Sequence, residues 1–206
     1  MKENISTVTS YPVMEMFYSI QGEGNYQGNA AFFIRLGGCD VGCVWCDVKE
    51  SWDASSHPVL TIEEILTEVK KTPSNIVIIT GGEPLLHDCT ELTKALQDAG
   101  YRTHLETSGS SALSGSWNWI CVSPKKFKEP LPSVSSLANE LKIVVYNKSD
   151  FAWAEQHAQT VPPECLLFLQ PEWSKEKDML PLITTYIHEN PRWKLSLQIH
   201  KYMGVR

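Results

Sequence analysis

The sequence predicts an α/β protein built as a single-domain, incomplete (β/α) barrel. Three observations carry that expectation. Apolar, strand-like runs alternate with segments of helical period, the pattern of parallel βαβ units. Polar or glycine-containing motifs recur at the carboxyl end of run after run, where a barrel or open α/β sheet gathers its active site. The chain has 206 residues, short of the roughly 250 of a complete barrel, with too little chain between Thr107 and Trp119 for a regular crossover helix.

Composition narrows the function classes. With 42% hydrophobic and 20% charged residues, the chain reads as an ordinary globular protein with a sizeable core. Its net charge of −6 leaves no electrostatic footprint for nucleic acid. No apolar run approaches the roughly eighteen residues of a membrane span. The polar start, Met1–Ser10, lacks a signal peptide's apolar centre. Six cysteines in such a chain are therefore expected as reduced thiols in the cytoplasm. No repeat, low-complexity tract or linker divides the sequence.

Taken in order, Met14–Ile20 is strand-like and runs into the turn Gln21-Gly-Glu-Gly24, which a plain hairpin would also explain. Ala31–Leu36 reads as a buried strand with one exception, Arg35, which either points outward or faces an anion. Thr61-Ile-Glu-Glu64 is a capping box opening a helix with Ile62, Ile65, Leu66 and Val69 on one face; Pro73 and Ser74 end it. Asn75–Thr80 is a strand buried on both sides, leading into Gly81-Gly-Glu-Pro84. A helix over about Cys89–Ala99 is stopped by Gly100. Further strands follow at Tyr101–Thr107, Trp119–Ser123, Leu141–Val145, Cys165–Leu169 and Trp193–Gln198. Helices are expected from Ser149 or Asp150 and over Lys175–Glu189. Cys89, Cys121 and Cys165 read as small core residues. All histidines except His200 read as surface or helix residues. The stretches Ser110–Ser116 and Phe127–Ser136 are the candidates for closing the open side.

The chemistry concentrates in Cys39-Asp-Val-Gly-Cys43-Val-Trp-Cys46, three cysteines spaced C-x3-C-x2-C directly after a buried strand. Three thiolates at that spacing can converge on one soft metal centre. A closed zinc site would need a fourth ligand, for which His57 is the nearest downstream candidate. A [4Fe-4S] cluster on three thiolates leaves one iron free for a substrate or cofactor. Idle, buried thiols are the third reading.

With Trp45 as the aromatic, this loop resembles the signature of the radical S-adenosylmethionine (SAM) enzymes. Gly81-Gly-Glu-Pro84, at the end of the next strand, is similar to their second SAM-binding element. The remainder resembles one branch, the 7-carboxy-7-deazaguanine synthase (QueE) family. The resemblance runs from about Tyr11 to the C-terminus. Its carriers are Glu15-Met-Phe with Ser19–Gly24, Phe33–Cys39, Trp45-Cys-Asp47, Ile79–Pro84, Leu105–Gly109, Val122–Lys125, Leu141-Lys142, Leu169–Pro171 and Leu197–Tyr202.

The resemblance implies a radical SAM partial barrel over residues 31–206, preceded by a substrate-binding extension over 1–30. It implies a [4Fe-4S] cluster on Cys39, Cys43 and Cys46, with one-electron cleavage of SAM releasing a 5′-deoxyadenosyl radical. The substrate would be 6-carboxy-5,6,7,8-tetrahydropterin, which loses a hydrogen at C6, contracts a ring and releases ammonia. The product is 7-carboxy-7-deazaguanine, with SAM regenerated. SAM contacts fall on Trp45, Gly81, Gly82, Glu83, Ser123, Pro124, Lys125 and Gln170. Substrate contacts fall on Ile20, Gln21, Gly22, Glu23, Arg35, Thr80, Thr107 and His200, with Arg35 holding the substrate carboxylate as a fork. The family usually places Thr or Ser where this chain has Val48, and that hydroxyl binds Mg²⁺. Valine offers a hard cation no oxygen, so either Asp47 holds Mg²⁺ with substrate and water, or the protein works without it, or its turnover is impaired; weakened or altered Mg²⁺ dependence is expected. The resemblance further implies a homodimer, a flavodoxin- or ferredoxin-type electron donor, and a product used in queuosine or other deazapurine synthesis. The rival readings are another small radical SAM enzyme, such as a glycyl-radical activase, and a regulatory iron–sulfur protein whose catalysis has decayed.

Overall fold

The computed structural model describes residues 9–206. The reading of the polar start and the first residues of the 1–30 extension therefore lie outside the described part. In chain order the elements are β1 (Ser10–Ile20), β2 (Ala30–Leu36), β3 (Val59–Thr61), α1 (Ile62–Val69), β4 (Ile76–Gly81), α2 (Thr90–Asp98), β5 (Arg102–Thr107) and β6 (Trp119–Val122). They continue with α3 (Pro132–Ser135), β7 (Glu140–Val145), α4 (Asp150–Ala158), β8 (Leu166–Pro171), α5 (Glu176–Glu189), β9 (Trp193–Leu195) and α6 (Ile199–Met203).

The nine strands form one sheet in the order β3-β1-β2-β4-β5-β6-β7-β8-β9. From β2 through β9 every pairing is parallel, while β1 runs antiparallel to both β2 and β3. β3 and β9 remain as two separate edges, so the sheet is an open, incomplete barrel.

Period-two alternation explains which side chains reach the site. Phe32, Ile34 and Leu36 of β2 and Val77 and Ile79 of β4 pack with α1 and α2. Leu105, Leu141, Ile143, Val145, Leu167 and Leu169 make the second half of the helix-covered core, with Ile183 of α5 and Trp193. The intervening residues face the other way. Near the strands' amino ends these are Ala31, Phe33, Ile76 and Ile78, a small apolar plug. Further along they turn polar: Arg35 of β2 lies beside Thr80 of β4, and β5 and β7 contribute Glu106 and Lys142. The sheet thus buries one face against helices and aims a charged row into its open side.

Local signals behave as their chemistry requires. Thr61 accepts from Glu64 N at 3.2 Å and donates its own N–H to Glu64 Oε2 at 2.7 Å, closing the capping box. Past the end of α2, Gly100 takes φ +90°. The segment between Thr107 and Trp119 forms no helix; it packs as a loop on the start of α2, Ser116 N donating to Thr93 Oγ1 at 2.9 Å.

Four expectations are corrected. The first strand begins at Ser10, because Ser10–Pro12 pair with β3, an element the sequence reading lacks. α3 inside Phe127–Ser136 was also unforeseen. The last strand ends at Leu195, since Ser196 turns to bond Gln170 Oε1 at 2.7 Å and Gly24 N at 2.9 Å. His104 is no surface residue: it is 3% exposed in β5, enclosed by Tyr26 and Trp119. Cys89, Cys121 and Cys165 are buried free thiols, as expected. Among the described residues no helix is long and apolar enough to cross a membrane.

Candidate active site

A cavity of about 380 Å³ opens at the carboxyl ends of the strands, within the usual range for small-molecule sites. One wall is the cysteine loop, which leaves β2 through Gly37 and Gly38. It is pinned to the end of β4: Gly82 N donates to Leu36 O at 3.0 Å and Glu83 N to Gly38 O at 2.8 Å. The approach is too close for a side chain. A Cβ on Gly82 would stand 2.2 Å from Gly38 O and 2.8 Å from Cys39 Cβ. Cys39, Cys43 and Cys46 all line the cavity, with Trp45 between the last two. Burial raises the Cys39 thiol and pushes Cys43 up to about 11, against the pull of the Lys125 ammonium. Lys125 is held by Ser123, through its carbonyl at 2.8 Å and its Oγ at 2.6 Å, and lies 5.7 Å from the Trp45 ring.

The floor is a buried charge network. Lys142, 4% exposed, donates to Glu23 Oε2 at 2.5 Å and Glu106 Oε2 at 2.9 Å. Gln21 Nε2 reaches Glu106 Oε1 at 3.1 Å, and Gln198 Nε2 reaches Glu23 Oε1 at 2.7 Å. Burial alone would raise the Glu23 carboxyl, yet Lys142 and Gln198 hold it down to about 2. Burial likewise opposes the Lys142 ammonium, but Cys121 and the Glu106 and Glu23 carboxylates keep it well above its ordinary value. Both partners are therefore ionised. The network offers fixed acceptors to a ligand's N–H edge.

The rim carries the remaining charges. Arg35 Nε donates to Glu15 Oε1 at 2.7 Å, which leaves its Nη pair for an anion. Arg206 Nη1 reaches the other Glu15 oxygen at 3.2 Å. Lys201 Nζ lies 3.1 Å from Asp47 Oδ2. His200 arrives on α6. It fills the space where a Gly22 side chain would be, since a Cβ there would sit 2.0 Å from His200 Nδ1.

Most of the anticipated residues meet in this one cavity: Ile20, Gln21, Gly22, Glu23, Arg35, Asp47, Val48, Thr80, Gly81, Gly82, Thr107, Ser123, Lys125, Gln170 and His200 all line it. Two do not. Glu83 is 1% exposed and spent inside the fold, accepting from Leu85 N at 3.1 Å, Thr107 Oγ1 at 2.5 Å, Ser108 N at 2.9 Å and Ser108 Oγ. Its carboxylate braces the end of β4 against β5 and the Ser108 turn. Pro124 lines a neighbouring cavity instead. Sequence reasoning passed over Lys142, Glu106, Gln198 and Glu15 as site residues. For Lys142 a signal existed: a lysine within Leu141–Val145 is the same anomaly as Arg35 in β2.

The donor set can be tested against the groups the motifs imply. Three soft thiols and a bare glycine backbone around one cavity fit an iron–sulfur cluster and SAM. Among the described residues no three His, Cys, Asp or Glu side chains gather tightly round one point as a single ion would need. A hard Mg²⁺ fits poorly: Val48 lends no side-chain oxygen, its carbonyl is taken by Ser51 N and Oγ at 3.1 and 2.7 Å, and Asp47 is paired with Lys201.

Fold and cysteine loop together define a radical SAM protein, and the Radical SAM superfamily model matches residues 33–116. Over 194 residues the chain is 50% identical to a 7-carboxy-7-deazaguanine synthase of Flavobacterium psychrophilum, covering 94% of this chain and 92% of that protein. The corresponding protein of Synechocystis sp. is 49% identical over 197 residues, covering 96% and 94%. The crystal structure of QueE from Escherichia coli superposes with a TM-score of 0.82 at 34% identity, over 92% of this chain and 94% of that one. The chain belongs to the 7-carboxy-7-deazaguanine synthase family of radical SAM enzymes.

Proposed function

We propose that this chain converts 6-carboxy-5,6,7,8-tetrahydropterin to 7-carboxy-7-deazaguanine with loss of ammonia. One observation carries the reading: the cavity lined by the three cysteines is also lined by an anion-ready Arg35 and by the carboxylate pair clamped by Lys142. A carboxylated pterin has the matching ends. Its carboxylate suits the Arg35 fork, and its amino and ring N–H groups suit Glu23 and Glu106. When bound at Cys39, Cys43 and Cys46, the [4Fe-4S] cluster with SAM supplies hydrogen-atom abstraction. The chain's own part is positioning. Trp45, Gly81, Gly82, Ser123, Lys125 and Gln170 shape the SAM side; Gln21, Gly22, Thr80, Thr107 and His200 flank the substrate; the enclosing walls exclude water from a reactive site.

The same reading includes residues 1–30 as a substrate-binding extension on a barrel of residues 31–206, a homodimer in the cytoplasm, and a flavodoxin- or ferredoxin-type donor. It sends the product to queuosine and related deazapurines. The test is anaerobic: reconstitute and reduce the cluster, add SAM and the pterin, and follow product by mass. Appearance of 7-carboxy-7-deazaguanine supports the reading. 5′-Deoxyadenosine without deazaguanine overturns the substrate, and no SAM cleavage by an intact cluster favours a regulatory iron–sulfur protein.

A further inference from the structure

The rim around Val48 is built for a fixed organic cation rather than for a divalent ion. Val48 lines the cavity with a side chain that carries no oxygen. Its carbonyl is closed by the buried Ser51, whose hydroxyl donates to it at 2.7 Å, and its N–H points to Cys46 Sγ at 3.4 Å. Asp47, the carboxylate next in the chain, already has Lys201 Nζ 3.1 Å from its Oδ2. One carboxylate already facing an ammonium is a poor foothold for Mg²⁺, which demands several oxygens in near-octahedral order.

Lys201, in contrast, is placed with care. Its Nζ lies over the Trp173 ring, 5.0 Å from the centroid. α6 is anchored to the substrate turn, Ile199 N donating to Gly22 O at 3.0 Å. Lys201, Asp47, Val48, Arg35 and Arg206 all line the same cavity. The two ion-paired groups here are Asp47 with Lys201 and Glu15 with Arg35 and Arg206.

We infer that the Lys201 ammonium, oriented by Asp47 and Trp173, binds the substrate carboxylate together with Arg35 in the place of a divalent cation, so that this enzyme holds its substrate without Mg²⁺. The inference rests on the carboxylated-pterin reading above. No bond is made or broken by Lys201; its role is binding and orientation.

The test is equilibrium binding of 6-carboxytetrahydropterin to anaerobic, cluster-loaded protein with SAM, in EDTA and in millimolar Mg²⁺, for the native chain and for Lys201→Gln, Lys201→Arg, Val48→Thr and the Val48→Thr/Lys201→Gln pair. Mn²⁺ binding followed by electron paramagnetic resonance runs beside it. Native affinity is expected to be the same in both buffers, within twofold. Lys201→Gln should weaken binding about tenfold, the size of one charge-assisted contact at roughly 1.4 kcal/mol per decade; Lys201→Arg should restore most of it. Val48→Thr/Lys201→Gln should recover affinity only with Mg²⁺ and gain a Mn²⁺ signal that the native chain lacks. Native binding that needs Mg²⁺, or Lys201→Gln binding as the native chain does, overturns the inference while leaving the substrate reading intact. Failure of the native chain to bind the pterin in either buffer, with SAM still bound, overturns the substrate reading and this inference with it.

Discussion

Lys142 is the charge on which the cavity floor depends, and Lys142→Met tests that directly. Methionine keeps most of the stem and removes the ammonium, leaving Glu23 and Glu106 facing one another without a counter-ion. Removing one partner of a buried pair costs about 3–5 kcal/mol. A second route gives a similar figure. The Glu23 carboxyl is held at about 2 against an ordinary 4.5, and that difference of about 2.5 is worth about 3 kcal/mol at roughly 1.36 kcal/mol per unit. Gln198 shares in that figure, so it bounds the part due to Lys142. Because the folded carboxyl titrates below the unfolded one, its stabilisation is present above the ordinary carboxylate value and lost as pH falls from there towards 2. The native-to-variant gap should therefore be full at about pH 7 and narrow as the pH is lowered from about 4.5 towards 2. In a domain of this size 1 kcal/mol moves Tm by about 2–4 °C, so a drop of about 6–12 °C is expected at neutral pH. Urea and thermal unfolding of the ligand-free protein across that pH range supply the assay. A gap below about 1 kcal/mol at neutral pH, or one indifferent to pH, would refute the argument that Lys142 compensates buried charge.

Other outcomes follow from the same contacts. Gly82→Ala should leave the circular dichroism native but reduce iron bound per chain by at least half, because its Cβ cannot coexist with Gly38 O and Cys39 Cβ at 2.2 and 2.8 Å; full cluster content would count against a steric role. Glu83→Gln should lower stability by about 2–4 kcal/mol, since the amide nitrogen takes the place of one oxygen and cannot accept that oxygen's two bonds, from Leu85 N and Thr107 Oγ1 or from Ser108 N and Oγ, and each stranded donor costs about 1–3 kcal/mol; an unchanged urea midpoint would remove the brace from the account. His104 is held neutral by burial and by Arg102, its pKa lowered to about 4 from 6.5. Its neutral form is the folded one, so stability is full above about pH 6.5 and falls by up to about 3 kcal/mol as pH drops from there to 4. His104→Phe should flatten the unfolding free energy over that window, and an unaltered slope would place the acid sensitivity elsewhere.

Local rules made much of the molecule readable. The alternation of strand and helix, the capping box at Thr61 and Glu64, the stop at Gly100 and the missing crossover between Thr107 and Trp119 all depend on neighbours in sequence. So does the cysteine loop, whose ligands lie within one turn of chain. Arg35 announced itself as a charge in an apolar run. Where reading faltered, the interaction was distant. β3 exists because it pairs with Ser10–Pro12, and the last strand breaks because Ser196 is drawn to Gly24, 172 residues away in the chain.

By itself, then, the sequence determined the class of fold, the three thiols and the glycine turn that meets them, because each is encoded by spacing or period within a few residues. Tertiary structure alone decided which charges meet. Lys142 finds Glu23 across 119 residues and Glu106 across 36, and Lys201 reaches Asp47 across 154. It also withdrew Glu83 from the cavity by giving its carboxylate to Thr107 and Ser108. The reason is geometric: parallel pairing and register choose which inward residues share a layer, while Coulomb and hydrogen-bond energies act only over the few ångströms that the finished sheet creates.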